Sequence, residues 1–226
     1  MARRKRGALG LPEEIAAIRA EIRRFLNTED EQGKSIGAHK QGAYAFYDFD
    51  GEPIYVGQTL EMLRTRIQRH LTNQRTDAVA MNVLDPFEVA FVEVWPLDTM
   101  AEGLDAEARK SLVCSAEYTV FQKVLRESEL GAVLNEKDVP KRPQIDLPTS
   151  YRGRIVPERL FVPRSHPDVR IARRAATIAN LARVIGEREV SRGLRRTLLV
   201  QARRLEHLAS KRVEELGIQP GFEQEP

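Results

Sequence analysis

Apolar residues at Ile15, Ile18, Ile22, Phe25 and Leu26 recur at the spacing of one helical face, and Pro12 followed by Glu13 and Glu14 suits a helix start. An amphipathic helix over 11–26 is therefore predicted, followed by a polar linker over 27–37 and a domain edge near residue 38. Residues 43–49 (AYAFYDF) and 53–56 (PIYV) are rich in aromatic and β-branched side chains. They flank the turn signal Asp50-Gly51, so they predict an antiparallel hairpin. After Gly57, Thr59 is placed to cap a helix running to Leu71, with Leu60, Leu63, Ile67 and Leu71 on its buried side. Residues 88–95 (EVAFVEVW) alternate as a third strand, 105–126 read as a second long helix, and Gly131 with 135–140 closes the unit.

Beyond it, 141–167 carries five prolines and predicts an extended connection. Two helical patterns follow, Ile171, Ala175, Ile178, Ala182 and Ile185, then Leu194, Leu198, Ala202, Leu205 and Leu208, separated by 186–191. The expected fold is α+β, a small antiparallel sheet flanked by helices. It divides into an N-terminal helical arm (1–38), a core (39–140), and an extended connection with a C-terminal helical hairpin (141–226).

Charge changes this picture more than composition does. The net charge is +3, but residues 152–226 hold 16 Lys+Arg against 9 Asp+Glu, whereas the preceding residues hold 20 against 24. A basic C-terminal part suits a polyanionic partner, although arginine-rich helices are commonly just well solvated. It leaves open whether these helices grip DNA phosphates or scaffold a dimer. No apolar run is long enough for a membrane span, and the basic N-terminus lacks the apolar stretch of a secretory signal, so the cytoplasm is the expected compartment. The single cysteine, Cys114, has no partner for a disulfide or zinc site, and His39, His166 and His207 have no metal-ligand spacing.

Candidate chemistry gathers in the hairpin and the two helices that follow. Tyr44 and Tyr55 lie in neighbouring strands, so their hydroxyls converge on one face if the register agrees. Arg66 and His70 are four apart on the next helix and share its side. Glu117 sits among Val113, Val120, Phe121 and Val124, a carboxylate beside an apolar stripe that needs a partner. A hard cation such as Mg²⁺ fits, because it takes few protein carboxylates and completes its shell with water and phosphate oxygens. Hydrolysis of a phosphodiester asks for such a set: a base for water, a cation for the phosphoryl oxygens and help for the departing oxygen.

Gly42-Ala43-Tyr44, Tyr55-Val56-Gly57, Arg66, a helical Glu117 and Asn135 occur in the order of the motifs of the GIY-YIG nuclease superfamily, which residues 40–138 resemble. Ala43 stands where the family has isoleucine, a departure in packing more than in chemistry. The resemblance implies that Glu117 holds the divalent metal, Mg²⁺ with Mn²⁺ as a substitute, that Arg66 contacts the scissile phosphate, and that Tyr44 takes part in water activation. Tyr55 and Asn135 would orient and support. His70, one turn past Arg66, resembles the restriction-endonuclease branch, where a histidine accepts a proton relayed from the first tyrosine. Residues 72–90 also resemble that branch, in particular the enzymes cutting CCGCGG. On that likeness Asn73, Gln74, Arg75 and Asn82 are candidates for contacts to DNA bases or backbone. A palindromic site implies a homodimer on double-stranded DNA, with one active site for each strand. The rival expectations are a structure-specific repair or recombination nuclease, and a DNA-binding module whose nuclease core is silent.

Overall fold

The computed structural model describes residues 13–72 and 85–218. At its centre is an antiparallel sheet of β1 (Gly42–Tyr47), β2 (Pro53–Thr59), β3 (Phe91–Pro96) and β4 (Tyr151–Arg154), in spatial order β2-β1-β3-β4. The helices among the described residues are α1 (Glu13–Asn27), α2 (Leu63–Thr72), α3 (Ala106–Glu127), α4 (Glu158–Ser165), α5 (Pro167–Glu187) and α6 (Arg192–Glu215). The fold is α+β, as the hydrophobic pattern predicts.

β1 is buried along its whole length because both faces of the sheet are covered. Strand alternation sends Tyr44 and Phe46 into a core with Ile22, Phe25 and Leu26 of α1 and Leu63, Ile67 and Leu71 of α2. On the other side Ala43, Ala45 and Tyr47 meet Val113, Ala116, Val120 and Val124 of α3. Ala43 pairs across the ladder with Trp95, and both are buried in the core that faces α3. Asp105 caps α3 by accepting a hydrogen bond from the Ala108 amide at 2.8 Å.

Three local expectations differ from what forms. Thr59 belongs to β2 and caps no helix; its hydroxyl accepts from Glu61 N–H at 3.0 Å and donates to Glu61 C=O, so the chain turns before α2 and leaves Leu60 exposed. Within the expected extended connection, Tyr151–Arg154 pairs with β3 and Glu158–Ser165 is helical. On α5 the buried face is Arg170, Arg174, Leu181 and Val184, rotated from the expected apolar stripe, and on α6 Thr197, Gln201 and Arg204 share the buried face with Leu194, Val200 and Leu208.

The reason for that rotation is an ion network on the β1–β2 turn. Asp48 Oδ1 accepts from the amides of Asp50 and Glu52, both at 3.0 Å, and so shapes the turn in which Gly51 takes a positive φ of 82°. Asp48 Oδ2 accepts from Arg170 at 3.1 Å, Arg174 at 2.8 Å and Arg204 at 2.8 Å. Arg174 also reaches Glu88 at 3.2 Å, Arg170 reaches Asp50 at 2.6 Å, and Arg204 donates to Pro53 C=O at 2.9 Å. Burial acts to raise the Asp48 pKa, but the three guanidiniums outweigh it and hold the carboxyl below the usual aspartate range. Burial wins at Glu88, which is raised despite Arg174 and Arg170. The C-terminal helices are thereby bonded to the hairpin that carries the tyrosines.

Candidate active site

Gly57 opposes Tyr44 across the β1–β2 ladder, and Tyr55 opposes Phe46, so both tyrosines emerge on the α2 side of the sheet. Tyr44 is fully buried and its ring runs over Gly57. A Cβ at position 57 would lie 2.6 Å from the Tyr44 hydroxyl oxygen and 2.9 Å from Tyr55 Cε1, so the glycine is required for this close approach. Gly57→Ala is expected to displace the Tyr44 hydroxyl and lower the cleavage rate about a hundredfold, the cost of an ~1 Å misplacement. Single-turnover kinetics would check it; a rate within twofold of the parent would show that this placement is unimportant.

From α2, Arg66 donates through Nε to the Tyr44 hydroxyl at 3.1 Å, and His70 Nδ1 lies 3.4 Å from the same oxygen. His70 is buried against the aromatic row, with its ring centroid 4.8 Å from that of Tyr55 in edge geometry and 6.0 Å from that of Tyr44. Burial, reinforced by Tyr55, raises the Tyr44 pKa well above the usual phenol value in spite of Arg66. Tyr44 is therefore a neutral phenol at rest, accepting from Arg66 and able to donate to an unprotonated His70 Nδ1. At Arg66 burial opposes the charge, but the hydrogen bond to Tyr44 and the nearby Glu61 carboxylate favour it, so it is cationic.

Glu117 approaches from α3, where it is half-buried between the core residues Val113 and Val120. Burial pushes its pKa up to about 7, and only the Arg66 charge pulls the other way. The same carboxylate acts on Tyr44, so Tyr44, Tyr55, Arg66 and Glu117 form one electrostatic unit. Among the described residues Glu117 accepts no hydrogen bond, and no group of three or more His, Cys, Asp and Glu is arranged to hold a metal. An undercompensated single carboxylate fits a hard cation that keeps most of its water and takes the rest of its shell from a phosphate.

Asn135 completes the set from the side. The chain at 134–135 runs along the open edge of β2: Leu134 N–H donates to Ile54 C=O at 2.7 Å, and the Asn135 amide both accepts from Val56 N–H at 3.1 Å and donates to Val56 C=O at 2.8 Å. It thus satisfies the edge groups of the residue between Tyr55 and Gly57. The structure brings Tyr44, Tyr55, Arg66, His70, Glu117 and Asn135 to one place; Asn73, Gln74, Arg75 and Asn82 lie outside the described residues. Sequence reasoning missed the steric role of Gly57, though the Tyr-Val-Gly triplet pointed to it.

Residues 40–111 match the family model of the GIY-YIG catalytic domain. The match supports a GIY-YIG nuclease domain. It spans β1, β2, α2 and β3 and holds Tyr44, Tyr55, Arg66 and His70, while Glu117 and Asn135 lie beyond the matched residues. No curated protein and no solved structure matched the chain. A GIY-YIG domain implies a nuclease and hence binding of DNA, and no helix among the described residues is long and apolar enough to cross a membrane.

Proposed function

We propose that this GIY-YIG chain is a Mg²⁺-dependent type II restriction endonuclease that cleaves double-stranded DNA at a palindromic site as a homodimer. The observation that carries the reading is the chain Arg66–Tyr44–His70, with contacts of 3.1 and 3.4 Å, beside the underneutralised Glu117. Mg²⁺ on Glu117, replaceable by Mn²⁺, would supply charge neutralisation at the phosphoryl oxygens and a low-pKa water. The protein's own groups do the rest. Arg66 faces the nonbridging phosphate oxygens with a fixed positive charge. As the attacking water loses its proton to the Tyr44 oxygen, the phenol proton passes to His70 Nδ1, so no free phenolate is needed in a site where burial disfavours one. The new P–O bond forms as the bond to the 3′ oxygen breaks, and the departing 3′ oxyanion takes a proton from solvent water, giving 5′-phosphate and 3′-hydroxyl ends. Tyr55 and His70 brace each other, and Asn135 fixes the β2 edge between Tyr55 and Gly57. Base reading falls to Asn73, Gln74, Arg75 and Asn82.

The test is incubation of the purified chain with unmethylated phage DNA containing CCGCGG, with Mg²⁺ or with EDTA, followed by sequencing of the ends. Discrete Mg²⁺-dependent fragments with 5′-phosphates are expected. Cutting confined to flaps or junctions would replace this reading with a structure-specific nuclease, and intact DNA in every form would mark a silent module.

A further inference from the structure

The arginines of the C-terminal helices divide into two sets. One set is neutralised within the chain: Arg170, Arg174 and Arg204 by Asp48 and Glu88, Arg173 by Asp85, Arg183 by Glu187, Arg212 by Asp168 and Glu215, and Arg196 by Asp138. The other set, Arg192, Arg195 and Arg203, is exposed on α6 and has no acidic partner among the described residues. At 100° per residue these three fall on one stripe with the exposed Leu199, opposite the buried Leu194, Thr197, Val200, Gln201, Arg204 and Leu208. Eleven residues of helix place the three guanidiniums along about 16 Å. On the neighbouring helix the exposed Arg183 pairs with Glu187 one turn on, whereas no acid among the described residues answers these three. An unneutralised row suits a polyanion.

The stripe begins beside the active site. Arg196 donates to Glu136 C=O at 3.3 Å and Asn135 C=O at 3.5 Å, and the Ser191 hydroxyl donates to the Glu136 carboxylate at 3.3 Å. A Cβ on Gly193 would lie 1.9 Å from Glu136 O, so the helix meets this segment backbone to backbone. Asn135 in turn holds Val56, and Arg204 reaches Pro53 at the other end of β2, so α6 runs along the outer edge of the strand that carries Tyr55 and Gly57.

We propose that Arg192, Arg195 and Arg203 form a phosphate-binding rail that holds the duplex backbone alongside β2, on the open side of the nuclease site. This rests on the reading of the chain as a nuclease acting on duplex DNA. The rail is sequence-independent and orients the duplex, while the base contacts set the site. The test compares the full chain with R192S/R195S/R203S, measuring anisotropy of a labelled 30-base-pair duplex of random sequence in EDTA between 50 and 200 mM KCl. All three positions are exposed, so the melting curve should be unchanged. The expected result is a slope of log affinity against log salt that is shallower by between about 2 and 3, close to 0.9 per lost phosphate contact. Affinity at 100 mM salt should fall at least about tenfold. An unchanged slope, with the parent protein binding normally, would overturn the rail and leave the nuclease reading standing; failure of the parent protein to bind any duplex would overturn both.

Discussion

Replacing Glu117 with glutamine is expected to abolish Mg²⁺-dependent cleavage, to leave duplex binding in EDTA intact, and to raise the melting temperature at pH 8. The first two follow from its place as the carboxylate of the site. The third follows from burial, which pushes its pKa from 4.5 up to about 7. A carboxyl that holds its proton more tightly when folded costs stability once it ionises. The penalty is absent below the unfolded value, grows as pH rises toward the folded one, and is constant above it. Allowing for partial exposure, the penalty is on the order of 2 kcal/mol, or roughly 4–8 °C in a chain of this size. Glutamine keeps the shape and cannot ionise. Thermal melts of both proteins in EDTA at pH 4 and pH 8 should show a gap only at the higher pH. A gap of equal size at both, or cleavage retained by the variant, would remove Glu117 from this role. Mg²⁺ should stabilise the parent protein and not the variant, and its affinity should weaken below pH 7 as protons compete for the carboxylate.

The second large effect is structural. Asp48→Ala should destabilise the protein by roughly 3–5 kcal/mol, because it leaves buried guanidiniums without their shared counter-charge. Arg170, Arg174 and Arg204 all meet one oxygen, Asp48 Oδ2, so a single truncation removes three contacts together. Asp48→Asn keeps an acceptor for the turn amides but sets an NH2 donor against the three guanidiniums in place of Oδ2, so it should be destabilised about as much as the alanine variant. Urea unfolding of the three proteins would measure this. A loss under about 1 kcal/mol for alanine would mean that the network contributes little beyond an ordinary surface contact.

Much of the site was legible because its parts are local. Tyr44 and Tyr55 are set by a hairpin whose Asp50-Gly51 turn is visible in the sequence, and Arg66 and His70 are one helical turn apart. The helix bearing Glu117 shows both its Asp105 cap and its apolar stripe. What escaped sequence reasoning depends on distant partners. Tyr151–Arg154 (YRGR) carries two arginines and a glycine and has no strand-like alternation; it is a strand because β3 offers an edge, and Arg152 settles over the Tyr47 ring at 4.0 Å. The faces of α5 and α6 were misplaced because arginines occupy buried positions, and a hydrophobic pattern has no means of marking a charge that is neutralised more than a hundred residues away. Thr59 has the right chemistry for a cap but is used in a turn three residues before the capping position, Met62.

The pairing of Phe91 with Arg154, and of Asp48 with arginines as distant as Arg204, has a consequence for synthesis. On the ribosome the hairpin and α2 emerge well before the strand that closes β3 and the helices that neutralise Asp48. Until then the nascent chain carries an open sheet edge and an acid without its guanidinium partners, and a fragment ending after α3 lacks both β4 and the helices that neutralise Asp48. The hairpin that bears Tyr44 and Tyr55 is thereby the first part of the sheet to be made and the last to have all its partners.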